Sequence, residues 1–282
     1  MNILLIHHNF HIKNYNAFMK YGFNVTHIYH TNLNNIDLSK FDIVYSPSLP
    51  INVSAFPDTK FIFGPHFSVF PEENHMNMIK GHNSIYIQPS DWANSAWKTY
   101  GYPINIYSLP FGVDTDKFND INQNKSTVFI YYKKRKPEEL EYVCQFLNDR
   151  SITYTLFNYN IQYQEEDYLN CLQNAKYGII IGQHESQGFA IEEALSCNVP
   201  LLVWNVKSMN QEYGSSYDDI YATSISYWDN RCGEVFYNKE ELNLTFDFFI
   251  SKLNTYTPRQ YILDNISIEK CKEKFINVVK HI

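Results

Sequence analysis

The apolar run Tyr177-Gly178-Ile179-Ile180-Ile181, the polar turn Gly182-Gln183-His184-Glu185-Ser186, the segment 187–196 and then Leu201-Leu202-Val203-Trp204 decide the fold class. The two flanking runs are short, almost continuously apolar and rich in β-branched residues, which predicts strands covered on both faces. The segment between them is longer and is interrupted by charge, as a helix is. Strand, helix, strand in that order is a βα unit, whose two strands run parallel.

The same alternation extends in both directions. Upstream, strands are predicted at 127–132 and 153–157 and helices at 137–150 and 165–175. Pro137 suits a first helical position, and Leu140, Val143 and Leu147 then share one face. Nearer the N-terminus, strands are predicted at 2–6, 24–29, 42–46, 60–63, 84–87 and 104–108, with a helix over 91–100 between Ser90 and Gly101. The pattern breaks at Leu109-Pro110-Phe111-Gly112-Val113-Asp114 and the polar stretch 119–126, which marks a domain boundary. Ile268, Cys271, Phe275, Val278 and Ile282 fall at helical spacing and predict a C-terminal amphipathic helix. The expectation is an α/β protein of two Rossmann-like domains, 1–117 and 118–282, with a cleft between them and ligands beyond the carboxyl ends of the strands.

Composition narrows the function. With 282 residues, 44% hydrophobic and 19% charged, the chain has the make-up of a folded globule and not of a disordered or coiled-coil protein. A net charge of −7 gives no overall field to hold a nucleic acid. The five cysteines are odd in number and contain no C-x-x-C pair, so a disulfide framework and a zinc knuckle are both disfavoured. Ile3-Leu4-Leu5-Ile6 is too short for a signal-peptide core and no stretch approaches a membrane span. A soluble protein of the cytoplasm, of a bacterium or of a virus-infected cell, is expected.

Two segments place polar residues directly between a strand and a helix. Lys133-Lys134-Arg135-Lys136 follows the strand at 127–132, and four successive cations repel one another unless they are solvated or face an anion. The adjoining helix start adds positive potential, so a phosphate group suits the position. In the second segment, Glu185 lies in the turn and Glu193 a little over two helical turns into the next helix. Gly188 permits close approach of a ligand, and the amides of Phe189 and Ala190 are donors at a helix start. One carboxylate is then available to a sugar hydroxyl and the other to a second pair of hydroxyls, while Glu192 is expected to be exposed. His7, His8 and His66 follow N-terminal strands and are candidates for positioning an acceptor hydroxyl. Asp218-Asp219 reads as solvated surface, and no metal site is expected.

Glu185 and Glu193 stand in an E-x7-E relation, and Glu-Ser-Gln-Gly-Phe-Ala-Ile-Glu-Glu-Ala-Leu-Ser-Cys-Asn-Val-Pro from Glu185 to Pro200 resembles the donor-site signature of the retaining family 4 GT-B glycosyltransferases (glycosyl transferases group 1). Leu109 to Asp114 is similar to the I-P-N-G-V-D segment that ends their N-terminal domain, and Tyr131-Tyr132-Lys133-Lys134-Arg135 sits where they place a strand and a basic pair. Ser186 and Gln187 depart from the family's E-G-F-G, although Gly188 keeps its second glycine. The resemblance implies two GT-B domains and the transfer of a sugar from a nucleoside diphosphate sugar to a glycan or other hydroxyl acceptor, with retention and without a metal or other cofactor. It implies Glu185 at the transferred sugar and Glu193 at the ribose. Two of Lys133, Lys134 and Arg135 would hold the diphosphate, with Lys134 and Arg135 favoured, and the amides of Gly188 to Ala190 would complete the cradle. A sugar-nucleotide epimerase of the same fold and a non-catalytic carbohydrate- or nucleotide-binding module are the alternatives.

Overall fold

A computed structural model describes residues 1–121, 124–161 and 163–282; Asn122 and Gln123, within the polar stretch taken as a boundary, lie outside the described residues. The chain forms two compact units, one of Met1–Gly112 with Ile268–Ile282 and the other of Val113–Ser267.

The first unit has six parallel strands, β1 (Asn2–Ile6), β2 (Asn24–Ile28), β3 (Ile43–Ser46), β4 (Phe61–Phe63), β5 (Ser84–Gln88) and β6 (Ile106–Ser108), in the order β2-β1-β3-β4-β5-β6. Helices α1 (Ile12–Met19), α2 (Glu73–Ile79) and α3 (Asp91–Lys98) cover it. Strands β1, β3, β4 and β5 are buried almost throughout, as near-continuous apolar runs require. Leu4, Ile6, Val44, Phe61, Phe63, Tyr86 and Trp97 form one core cluster. Tyr86 stacks on Trp97 with ring centroids 4.3 Å apart.

The second unit has β7 (Thr127–Lys133), β8 (Thr155–Asn158), β9 (Ala175–Gly182), β10 (Leu201–Trp204) and β11 (Gly233–Phe236), all parallel, in the order β11-β10-β9-β7-β8. Helices α4 (Pro137–Asp149), α5 (Glu165–Asn174), α6 (Phe189–Ser196), α7 (Leu242–Ser251) and α8 (Pro258–Asn265) belong to it. Ile130, Tyr132, Val143, Leu147, Ile179, Ile181, Leu202 and Phe249 fill its core. Gly178 has a packing reason: a Cβ there would lie 2.3 Å from the Phe129 ring, so the bare backbone lets that ring cross the strand.

Two sequence expectations differ from the structure. The division falls at Gly112/Val113, and the terminal helix α9 (Ile268–Val279) belongs to the first unit, not to the second domain in which its position along the chain had put it. Its buried Cys271, Phe275 and Val278 explain this, since the Phe275 ring packs among Phe18, Tyr21, Phe23 and Tyr45. Strand β11 and helices α1, α2, α7 and α8 were not anticipated. Among the described residues no cysteine is in a disulfide, and Cys197, Cys232 and Cys271 are buried. Among the described residues no helix is long and apolar enough to cross a membrane.

Candidate functional site

In a parallel sheet the strand order reverses at one point, and the loops leaving the carboxyl ends of the two strands there diverge and leave a crevice. In the second unit that point lies between β7 and β9, which are hydrogen-bonded neighbours although β8 separates them in sequence. The loops concerned begin at Lys133 and Gly182, which face each other in register. The topology therefore brings the basic run and the E-x7-E segment to the same place.

The ammonium of Lys133 donates to Glu185 Oε1 at 2.6 Å and lies 4.5 Å from the centre of the Tyr159 ring. Both charged side chains retain some exposure, 14% and 18%, so the pair sits at a rim and not in the core. The loop carrying Glu185 is pinned on its far side, where its N–H donates to the Thr223 carbonyl at 2.9 Å and the Ser226 hydroxyl donates to its carbonyl. Asn205 Oδ1 fixes that neighbouring loop by accepting from Thr223 Oγ1 at 3.0 Å and from the Ser224 N–H at 2.8 Å.

Gly188 caps α6 in the left-handed region, at φ 97° and ψ 50°. A side chain would be strained at this φ, and its Cβ would stand 3.4 Å from Glu185 Cβ. The helical ladder begins with the N–H groups of Ile191 and Glu192 donating to the Gly188 carbonyl, so the amides of Phe189 and Ala190 precede it at the positive end of the helix. Glu193 is buried, at 3% exposure, on the same helix. Burial first, and then neighbouring groups that include Tyr131 and Glu193, raise the pKa of Tyr168, whose hydroxyl donates to the Ala190 carbonyl at 2.8 Å.

Of the two cations favoured for a diphosphate, Lys134 is exposed and Arg135 is buried. Arg135 is turned into the protein. It is 1% exposed, and its guanidinium grips Glu139 through Nε at 2.9 Å and Nη2 at 2.5 Å, while Nη1 donates to the carbonyls of Gly182 at 3.2 Å and Trp204 at 3.0 Å. Four donor contacts on protein groups make it a clamp joining α4 to the ends of β9 and β10. Lys134 adopts φ 45°, and this turn of the chain separates the inward Arg135 from the outward lysines. Glu192, expected to be exposed, is 1% exposed and accepts from Gln187 Nε2, in the loop before α6, at 3.0 Å.

Glu212 was not anticipated. It follows a short 3-10 turn after β10, is 8% exposed, and accepts from Lys134 Nζ at 3.0 Å. That hydrogen bond is the main reason the Lys134 pKa is raised. The His184 ring nitrogen lies 3.6 Å from the other oxygen of Glu212. Burial chiefly lowers the His184 pKa; Glu212 opposes this, while Lys133 and Lys134 reinforce it. A loop carboxylate gives no periodic signal, and only its place beyond an interior strand could have pointed to it.

The acceptor-side candidates lie in the first unit, whose own reversal falls between β1 and β3. His7 is half-buried and stacks on Tyr15 with centroids 4.5 Å apart and planes 9° from parallel. His8 is exposed, and its carbonyl accepts from the Ser48 hydroxyl in the loop after β3. The His66 N–H donates to the Pro47 carbonyl at 2.8 Å, and its Nε2 lies 3.0 Å from Asn14 Nδ2. Burial first, and the neighbouring His11 second, lower the His66 pKa to about 4. Asp218 and Asp219 are exposed.

AviGT4, a glycosyltransferase involved in Avilamycin A biosynthesis, is similar over 99% of this chain and 96% of its own, with a TM-score of 0.58 at 11% identity. The lipopolysaccharide outer core galactosyltransferase WaaB, in its apo form, aligns over 99% of both chains with a TM-score of 0.55 at 13% identity. The chain has the GT-B fold. A TarM variant of S. aureus in complex with Fondaparinux, alpha-GlcNAc-glycerol and UDP aligns over 84% of this GT-B chain and 50% of its own, with a TM-score of 0.50 at 16% identity. No protein-family model and no curated protein sequence matches the chain.

Proposed function

We propose that the protein is a glycosyltransferase that moves a sugar from a nucleoside diphosphate sugar onto a hydroxyl of a glycan or other acceptor. The observation that carries this is the Lys133–Glu185 pair at 2.6 Å, placed beside the start of α6 at the reversal of the second sheet. A cation, a carboxylate and helix-start amides meet there, and these groups suit a diphosphate joined to a sugar. The names of the structural neighbours, a galactosyltransferase and a UDP complex among them, support the same reading.

In this mechanism the bond from the anomeric carbon to the diphosphate oxygen breaks, and negative charge builds on the leaving group. Lys133, Lys134 and the amides of Phe189 and Ala190 stabilise that charge where it develops, so no metal ion is needed. The acceptor oxygen bonds to the anomeric carbon, and its proton passes to the departing phosphate oxygen, with retention of configuration. Glu185 changes partner from the Lys133 ammonium to a sugar hydroxyl as the phosphate takes that ammonium. Glu193 is assigned to the ribose on the resemblance of the E-x7-E segment to the family 4 signature, and His7, His8 and His66 are assigned to the acceptor side.

The test is turnover of a panel of UDP, GDP, ADP, CDP and dTDP sugars, with nucleoside diphosphate release and sugar products both measured. One donor is expected to release its diphosphate faster when an acceptor is added. A sugar converted to its epimer without acceptor, or binding without turnover, would replace transfer by isomerisation or by simple recognition. Glu193→Gln should weaken a nucleoside diphosphate more than a free sugar phosphate, and the reverse ranking would remove the ribose assignment.

A further inference from the structure

Lys134 departs from the ordinary rules for its residue type. A non-glycine residue at φ 45° is held in a sparsely populated region, and such a conformation persists only where the surroundings over-determine it. Two contacts do so here, both from the loop after β10. The Tyr213 N–H donates to the Lys134 carbonyl at 2.9 Å, and Glu212 Oε1 receives its ammonium at 3.0 Å. The burial is graded across the pair: the Lys134 side chain is 45% exposed and that of Glu212 only 7%. The carboxylate thus sits behind the ammonium, on its protein side.

Glu212 is itself fixed. Its N–H donates to the Met209 carbonyl at 3.1 Å, and its carbonyl accepts from Ser215 Oγ at 3.0 Å. With its amide oriented to satisfy both terminal atoms, Gln183 donates to the two Glu212 oxygens at 3.0 and 3.3 Å. His184 lies beside the same carboxylate, with the Tyr217 ring edge-on to it at 5.6 Å. One buried carboxylate therefore collects groups from the β7 loop and the β9 loop on either side of the topological reversal.

We propose that Glu212 is the positioning residue of the anion site: it acts through Lys134, holding that ammonium at the rim of the β7–β9 crevice where a diphosphate binds. The proposal rests on the nucleoside diphosphate sugar reading for its ligand. Holding a flexible lysine in one geometry before binding removes an ordering cost from the complex, which is how a residue without ligand contact raises affinity.

Charge alone and positioning predict opposite signs. Removing a carboxylate near an anion site makes the site more positive, and a carboxylate acting only through its field would therefore tighten anion binding when lost. A carboxylate that positions Lys134 would weaken binding when lost, and only while Lys134 is present.

The experiment measures the affinity of UDP, GDP, ADP, CDP and dTDP and of inorganic pyrophosphate by calorimetry, for the wild type, Glu212→Gln, Lys134→Met and the double variant, each with its melting curve. Glu212→Gln should weaken the bound nucleoside diphosphate and pyrophosphate by about fivefold. On the Lys134→Met background the same substitution should leave affinity unchanged or slightly improved. Where Glu212→Gln does not fold, Glu212→Asp, which keeps the charge and retracts it, makes the same comparison and should lose affinity only with Lys134 present. Tighter binding by Glu212→Gln, or an equal loss on both backgrounds, overturns the proposal and leaves the donor reading intact. A wild type that binds pyrophosphate but no nucleoside diphosphate refutes the donor reading, while the pyrophosphate comparison still decides the role of Glu212. A wild type that binds neither refutes both.

Discussion

Replacing Arg135 by Met separates folding from ligand binding at the residue where sequence and structure disagree most. The substitution keeps an unbranched stem against Trp204, whose ring lies 5.5 Å from the guanidinium carbon, and removes the two bonds to Glu139 and those to the Gly182 and Trp204 carbonyls. Breaking a buried ion pair by removing one partner costs about 3–5 kcal/mol. The lower end applies, because the Lys136 N–H still donates to Glu139 at 3.0 Å and Ser224 Oγ still donates to the Gly182 carbonyl at 3.0 Å. A loss of about 3 kcal/mol lowers the melting temperature of a unit of this size by about 6–12 °C. Calorimetry at a temperature where the variant remains folded should find nucleoside diphosphate affinity within about threefold of wild type. Lys133→Met is the mirror experiment, with binding lost by about tenfold or more and little change in melting. An Arg135→Met protein that melts like the wild type, or that folds yet loses binding as Lys133→Met does, would refute the assignment of Arg135 to the interior.

Other outcomes follow from the same geometry. His66 has its pKa lowered to about 4, so between that value and its ordinary 6.5 the unfolded chain binds more protons than the native one. Stability should therefore fall as pH drops through this window, by about 3 kcal/mol when complete; denaturant midpoints from pH 7 to pH 4 check it, and a His66→Gln variant with an unchanged pH slope would show another group responsible. Gly188→Ala places a Cβ at φ 97° against Glu185 and should cost about 1–2 kcal/mol while also weakening donor binding. Thermal melts with and without ligand measure both effects, and a neutral substitution would contradict the strained cap.

The parts of this protein that could be read from sequence are those set by local physics. Short apolar runs gave β7, β9 and β10 because interior strands need apolar side chains on both faces, and Pro137 marked the start of α4 because its missing N–H is harmless there. The Lys133–Glu185 pair could be anticipated because Lys133 ends β7 and Glu185 lies in the loop just after β9, its parallel neighbour. Arg135 could not be separated from its lysine neighbours, since the left-handed turn at Lys134 that sends it inward is held by a loop some eighty residues away. Glu139, four residues after Arg135, was the local signal of an internal clamp. Glu192 looked exposed because charge on a short helix usually is, and its partner Gln187 comes from the loop before the helix. The terminal helix α9 had legible periodicity, but periodicity names a buried face without naming what buries it.

The central claim is that the Lys133–Glu185 corner of the second sheet grips a diphosphate-linked sugar. Calorimetric titration of intact nucleoside diphosphate sugars into the wild type and Lys133→Met tests it most directly. The prediction is saturable binding of at least one donor by the wild type, weakened by about tenfold or more in the variant. Equal affinity in the two proteins, or no binding of any donor by a folded wild type, would contradict it.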